Sequence, residues 1–284
     1  MAKRSLQDWI GTSVSVVDRI TAAPARGLAA TLDREQAPAE GDDLPPLWHW
    51  LYFLDTPATG DLGRDGHAGR GGFLPPVHLP RRMWAGSRLR FHQALRIGEA
   101  TRRTSRIANV VEKQGRTGEL VIVTVEHTVH GESGLAITEE VDIAYREAPQ
   151  TDAPATAPEP IQPPGATQWS YDITPGPVLL FRYSALTFNS HRIHYDQPYA
   201  TEVEGYPGLV VHGPLTLTLL AEALAREHPR QRITSLTMRA FRPLFHGTPF
   251  HLQGRLSADG GGAELWTLDG DGGMTMQATA ELAD

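Results

Sequence analysis

Two sets of four short strand-like stretches, the clearest of which alternate apolar and polar residues with a period of two, limit what this chain can fold into. The first set comprises Arg88–Ile97, a run reaching Val111, Leu120–Val129 and Leu135–Tyr145, with short turns at Gly115–Gly118 and Gly131–Gly134. The second comprises Arg232–Phe241, Phe250–Ser257, Ala263–Leu268 and Met274–Leu282. Side chains alternate faces along a strand, so such stretches bury one face and pair as antiparallel meanders. Arg90, Leu95, Gly98 and Ile107 precede Arg239, Leu244, Gly247 and Leu256 by 149 positions, and Ile20-Thr21 answers Ile173-Thr174 at a similar offset. This is a degenerate duplication. Residues 1–148 read as one half, the proline-rich residues 149–168 as a linker and 169–284 as the second half.

Helical patterns accompany each set. Leu215 to Glu227 is an apolar helix ahead of the second set, with a strand-like start at Tyr171-Asp-Ile-Thr before it. In the first half, residues 5–33 read as one or two short helices. Leu44–Leu54 reads as a buried helix with prolines in its first turn and Trp48, Trp50, Leu51 and Leu54 in a core. A sheet and one apolar helix bury each other's hydrophobic faces, which gives an α+β class with two antiparallel sheets, each wrapping an apolar helix. At 284 residues the chain is long enough for two such units.

The chemistry concentrates in Phe181-Arg-Tyr-Ser-Ala-Leu-Thr-Phe-Asn-Ser-His-Arg-Ile-His-Tyr-Asp196, followed by His212-Gly213-Pro214-Leu215. Asn189 and His194 stand five apart with His191 between them, a spacing that can turn an amide and an imidazole toward one small molecule. The run resembles the motif of the MaoC-like hydratases and dehydratases of acyl thioesters, roughly Asp-x-Asn-Pro-x-His-x-Asp with His-Gly downstream. It is most similar to the type 2 3-hydroxyacyl-thioester dehydratase subgroup, which includes the mesaconyl-CoA and itaconyl-CoA hydratases. Two departures stand out: the first acid is Asn189, and the Asn-Pro pair is His191-Arg192.

The resemblance implies a double hotdog over essentially the whole chain. It also implies an enzyme that adds water reversibly across the double bond of an α,β-unsaturated acyl-CoA thioester, such as the branched dicarboxylyl itaconyl-CoA or mesaconyl-CoA. The first half has no Asn-x-x-x-x-His equivalent after Ile20-Thr21. The second half is therefore expected to carry the chemistry, and the first to shape the site. A hotdog thioesterase and a non-catalytic acyl-thioester binding module are the alternatives.

Hydration of a conjugated thioester needs a group to deprotonate water, donors for the carbonyl as enolate charge develops, and a proton for the α-carbon. His194 is the expected base, titrating near its ordinary value of ~6.5 unless its surroundings shift it, and Asn189 is left to orient the water or substrate. The backbone amide of Gly213, at a helix start, is the expected carbonyl donor. His212 either contacts substrate or only orders the turn before the helix. Tyr183, Tyr195 and Phe188 read first as core aromatics, with Tyr195 kept as a substrate contact. Arg82, next to Arg81 and close to Trp84, is either a solvated arginine or a fork for a carboxylate or the phosphates of coenzyme A.

His191, His194 and His212 also read as a metal trio, but no Glu accompanies the pair in a His-Glu-x-x-His order, so neither metal nor organic cofactor is expected. Six glycines between Gly60 and Gly72 make a loop that either joins elements or lies across a site. It lacks the order of a phosphate loop.

The remaining bounds are mostly exclusions. A formal charge of −7 and a pI near 5.9, with Lys and Arg scattered, argue against nucleic-acid or anionic-membrane partners. The absence of cysteine removes disulfides and thiolate chemistry. Asp8 interrupts any secretory core, and no run of ~18 apolar residues occurs, so a soluble cytoplasmic protein is expected. A homodimer is compatible with these features, but both halves of the site already lie in one chain.

Overall fold

A computed structural model describes residues 5–115, 118–147 and 161–284. Strands β1 (Ser13–Arg19), β2 (Arg81–Phe91), β3 (Ala100–Gly115), β4 (Gly118–Gly131) and β5 (Gly134–Arg146) form the first half with helix α1 (Ala22–Thr31). The second half holds β6 (Trp169–Ile173), α2 (Pro177–Leu186), α3 (Gly213–Glu227), β7 (Arg232–Ala240), β8 (Phe250–Leu256), β9 (Gly262–Leu268) and β10 (Met274–Ala283). Much of the expected linker lies outside the described residues. Among the described residues no helix is long and apolar enough to cross a membrane.

The strand order is β1-β3-β4-β5-β2-β7-β10-β9-β8-β6. Read outward from the middle, each half runs through its strands in the same order, so the duplication legible in the sequence is present in the topology. Gly98 and Gly247, 149 positions apart, both hold left-handed backbone just before β3 and β8. The two expected sheets are joined: β2 and β7 pair antiparallel from Gly86↔Arg239 to Arg90↔Ser235, which makes one ten-stranded sheet. This pairing uses the outer hydrogen-bonding groups of two strands that would otherwise be open edges.

The second half wraps α3, whose Leu215, Leu217, Leu220 and Leu224 are all 1% exposed or less. Burying each such side chain contributes about 1.5–3 kcal/mol. Thr216 and Thr218 are buried on the same helix and return their hydroxyls to the carbonyls of His212 and Pro214.

The corresponding space of the first half is filled differently. Of the core positions expected in Leu44–Leu54, Trp48 and Leu51 are buried at 2% or less while Trp50 and Leu54 are half-buried, Phe53 is buried as well, and only Trp48–Leu51 forms a single 3-10 turn. Pro45 and Pro46 precede it, and Leu47 and Phe53 hold left-handed backbone at φ 72° and 56°, which stops a helix at both ends. Trp48 reaches the second half through Nε1, which donates to Glu222 on α3 at 2.9 Å.

Two further assignments differ from the sequence reading. Ser13–Arg19, expected within a helix, is edge strand β1, paired with β3 from Ser13↔Arg106 to Arg19↔Ala100. Its three valines, stiff at χ1, favour the extended backbone. The strand expected to begin near Arg88 begins at Arg81 and ends at Phe91, so Arg81, Arg82 and Trp84 lie on β2. Leu95 and Ile97 remain buried in the loop that follows.

Candidate functional site

The motif is shaped by the way α2 stops. Phe188 takes φ 49°, and the Asn189 N–H returns to the Ser184 carbonyl at 2.8 Å. Asn189 Oδ1 then accepts the His191 N–H at 3.0 Å, an Asx turn that reverses the chain. Asn189 therefore has a structural task that the sequence reading did not give it, and only its amide nitrogen is left for water or substrate. A 3-10 turn, Arg192–His194, follows, and the Arg192 guanidinium closes onto Asp196 at 2.7 Å.

His194 is carried inward on this turn. Its Nδ1 donates to the Val210 carbonyl at 2.7 Å, while the Val210 N–H donates to the Ile193 carbonyl. This bond fixes the tautomer with Nε2 bare, and Nε2 has no hydrogen-bond partner among the described residues. The ring stacks on His212 with centroids 3.7 Å apart and meets His191 edge-on at 5.4 Å. Burial pushes His194 from its ordinary value down to about 4. His191 and His212 are lowered too, by burial first and by neighbouring imidazoles second. The row is neutral at neutral pH.

His212 sits immediately before α3, with Nε2 on Ser184 Oγ at 2.8 Å and Nδ1 buried without a hydrogen-bond partner among the described residues. Gly213 is the first residue of α3, and its N–H makes no hydrogen bond among the described residues. A Cβ there would lie 2.6 Å from Trp84 Cε3, so glycine is what lets the indole close over the helix start. Trp84 in turn packs edge-on against Trp50 at 6.0 Å. Free N–H groups at a helix N-terminus beside an apolar indole suit a thioester carbonyl that becomes an enolate oxygen.

The glycine-rich loop lies across this site. The Arg192 N–H donates to the Asp65 carbonyl at 2.9 Å, Arg192 Nη1 to the Arg64 carbonyl, and Ser190 Oγ to the Gly66 carbonyl. Gly66 has φ 86°, and a Cβ on it would meet the Ser190 carbonyl oxygen at 1.9 Å, so only glycine permits this closure. The loop thereby places His67 face to face with His191, centroids 4.0 Å apart. Asp65 Oδ2 accepts from His67 Nδ1 at 2.9 Å and its Oδ1 from the His67 N–H at 3.0 Å. Burial alone would raise Asp65, but these hydrogen bonds and the His67 charge hold it well below the usual carboxylate range.

Sequence reading missed Asp65 and His67 because it sought an acid inside the motif. The signal available was Asp-x-His among closely spaced glycines. Asp65, His67 and His191 are also the set among the described residues whose ligand atoms, within 4.8 Å of one another, could hold a metal ion. Asp65 Oδ2 and His67 Nδ1 are already bonded to each other, and this set is not the trio weighed from the sequence.

The remaining expected contacts divide. Arg81 is occupied by Glu204, at 3.5 Å from its carboxylate, and lies over Tyr206. Arg82, opposite Tyr145 in the β2/β5 register, has no ion pair among the described residues, and its charge acts on His67, His191 and Tyr145. The buried Tyr145 hydroxyl is the polar group that faces Arg82, although no hydrogen bond of ordinary length joins it to another of the described residues. Tyr195 is turned outward, 46% exposed, with its hydroxyl on the Ser190 carbonyl, so it braces the turn and does not face the imidazoles. Phe188 is likewise exposed and not a core residue. A separate cavity of about 160 Å³, edged by His49, Phe91, Ile137 and Ile233, includes none of the imidazole row.

Comparison with known proteins places this geometry in context. The model of the hydroxyacyl-thioester dehydratase type 2 family matches residues 47–246. The mesaconyl-C(4)-CoA hydratase of Chloroflexus aurantiacus is 47% identical over 284 residues, covering 99% of each chain. The mitochondrial hydroxyacyl-thioester dehydratase type 2 of Schizosaccharomyces pombe is 27% identical, covering 86% of this chain and 90% of its own. Among solved structures, a MaoC-like dehydratase covers 98% of this chain and 99% of its own, with a TM-score of 0.67 at 14% identity. A Mycobacterium tuberculosis protein described as a double hotdog fold covers 96% of both chains, with a TM-score of 0.59 at 13% identity.

Proposed function

The chain belongs to the hydroxyacyl-thioester dehydratase type 2 family, and on that premise we propose that it hydrates a branched dicarboxylyl-CoA thioester of the mesaconyl-CoA or itaconyl-CoA kind. It is a hydro-lyase acting on the double bond of an α,β-unsaturated acyl-CoA. The observation that carries the reading at residue level is the pairing of a bare imidazole nitrogen, His194 Nε2, with the free N–H of Gly213 at the start of α3.

In this reading the thioester carbonyl lies on the Gly213 N–H under Trp84, which polarises the double bond. His194 Nε2 accepts a hydrogen of the attacking water, and the Asn189 amide nitrogen donates to its oxygen. As oxygen bonds to the β-carbon, charge moves to the carbonyl oxygen, where the helix N-terminus stabilises it. The second half supplies these groups, and the first contributes Trp84, Arg82 and the covering loop. One chain holds the whole constellation, so a homodimer is not needed to build it.

Arg82 supports the dicarboxylate substrate. It is a guanidinium with no acidic partner among the described residues, facing the buried Tyr145 phenol and two site imidazoles, which suits a carboxylate on the β-carbon. The test is a substrate pair, mesaconyl-C(4)-CoA and crotonyl-CoA, followed by loss of the conjugated-enoyl absorbance. Arg82→Gln is expected to lower kcat/KM about 10- to 100-fold for the first, as for one charge-assisted contact of about 1.5–3 kcal/mol, and to leave the second nearly unchanged. Equal losses with both would remove Arg82 from carboxylate recognition. Release of thiol with the double bond retained in the freed acid would replace hydratase by thioesterase.

A further inference from the structure

Position 189 is an amide, and His194 is buried with nothing anionic at hydrogen-bond distance, so neither is a strong proton acceptor. Protonating His194 at neutral pH works against a value of about 4, and Brønsted behaviour favours a base matched to the operating pH. Yet a carboxylate-backed imidazole stands at the other end of the same row. We propose that the Asp65–His67 pair, delivered by the first-half loop, is the proton-transferring group of the hydration reaction and takes the place of the acid that position 189 lacks.

Four observations carry this. His67 Nδ1 is committed to Asp65 at 2.9 Å, which leaves Nε2 bare and gives the imidazolium an anion to form against. The His67 ring lies 4.0 Å from His191, itself edge-on to His194 at 5.4 Å, and its charge is felt at His194, so His67 and His194 flank His191 in one row. The placement is enforced by the clamp of Arg192 and Ser190 on residues 64–66 and by the close approach at Gly66. The groups facing His67 are Asp65 and Arg70 from its own loop, Arg82 from β2 and His191 from the motif. Burial and the two arginines keep it neutral at rest, as a base must be.

The step balances with no further reagent. Water lies between the two bare nitrogens with a hydrogen on each. His67 Nε2 takes one proton as the oxygen bonds to the β-carbon, and the double-bond pair moves to form the enolate, whose oxygen Gly213 holds. The His67 imidazolium, stabilised by Asp65, then gives that proton to the α-carbon, and both groups return to their starting state. His194 keeps its hydrogen bond to what has become the β-hydroxyl. Dehydration is the same path reversed.

The inference rests on the hydratase reading, and the experiment separates the two. With wild-type protein hydrating crotonyl-CoA or mesaconyl-C(4)-CoA, His67→Gln is expected to lower kcat by ~10²–10⁴-fold with little change in KM, since glutamine keeps a polar contact but exchanges no proton. Asp65→Asn keeps the Oδ1 that accepts the His67 N–H, so the loop stays in place. Removing the anion lowers the His67 pKa, so the acid limb of the kcat/KM profile should move to lower pH while the plateau falls.

A merely structural role would leave that limb where it is, so an unmoved limb in Asp65→Asn overturns the proposal even if His67→Gln fails to fold. Folded His67→Gln within a few-fold of wild type also overturns it, as does activity lost to a chelator and restored by zinc. Wild-type protein silent toward both thioesters removes the hydratase reading and this inference together.

Discussion

Replacing His194 by alanine is expected to lower kcat by at least ~10²-fold, as for the loss of a group that positions the attacking water, while moving KM little. The imidazole is held by a single 2.7 Å bond from Nδ1 to the Val210 carbonyl, and its remaining nitrogen has no other task among the described residues. Losing it removes an acceptor that acts on the water and on the new hydroxyl, while the Gly213 and Trp84 contacts that hold the thioester stay in place. A rise in KM at constant kcat would instead make His194 a group that only binds. Asn189→Ala is a mixed case, because its Oδ1 also holds the His191 N–H and so shapes the turn that presents His194.

The second large effect is on stability. His194 is 8% exposed and is pushed from its ordinary 6.5 to about 4 by burial, and burial likewise lowers His67, His191 and His212. For each, the folded state binds the proton less well than the unfolded chain. Stability is therefore intact above the unfolded value near 6.5 and is lost as pH falls toward the folded value. For His194 alone the full loss amounts to about 3 kcal/mol by pH 4. Carboxylates titrate near ~4 when unfolded, so the interval from about pH 6.5 to 5 belongs to the imidazoles. The urea midpoint at constant ionic strength should fall across that interval; a flat midpoint there would contradict neutral burial of the row.

Much of the architecture was legible because a period of two is written directly in the residues. The alternation in Leu120–Val129 and its neighbours located strands that β3, β4 and β5 confirm, and the recurrence 149 positions later anticipated a strand order that repeats. What failed were short segments whose state is decided by the rest of the molecule. The valines of Ser13–Arg19 fit either period, and pairing with β3 settles them. Leu44–Leu54 has the composition of a buried helix, but its burial is real and its helicity is not, because the left-handed backbone at Leu47 and Phe53 cannot be read from leucine and phenylalanine.

The site shows the same division. Asn189, His194, His212 and Gly213 lie close in the chain or at a recognisable helix start, and their grouping followed from spacing and resemblance. Asp65 and His67 lie more than 120 positions before Asn189 and reach the motif only because a loop folds over Ser190. Glu139 is a parallel case. Nothing in the alternation of Leu135–Tyr145 singles it out, yet it is 4% exposed, 3.2 Å from His49 Nε2 and 3.1 Å from Trp50 Nε1. Tyr195 errs in the other direction, since adjacency to His194 does not give it the same facing across a 3-10 turn.

Central to the account is that oxygen from water is added to the β-carbon of an enoyl thioester that remains a thioester. The direct measurement is mass spectrometry of the product formed from mesaconyl-C(4)-CoA in water enriched in heavy oxygen. The account predicts an intact coenzyme A thioester with the heavy oxygen in a new β-hydroxyl and one solvent-derived hydrogen on the α-carbon. Heavy oxygen in a freed carboxylic acid alongside free coenzyme A, or recovery of the unlabelled enoyl thioester, would contradict it.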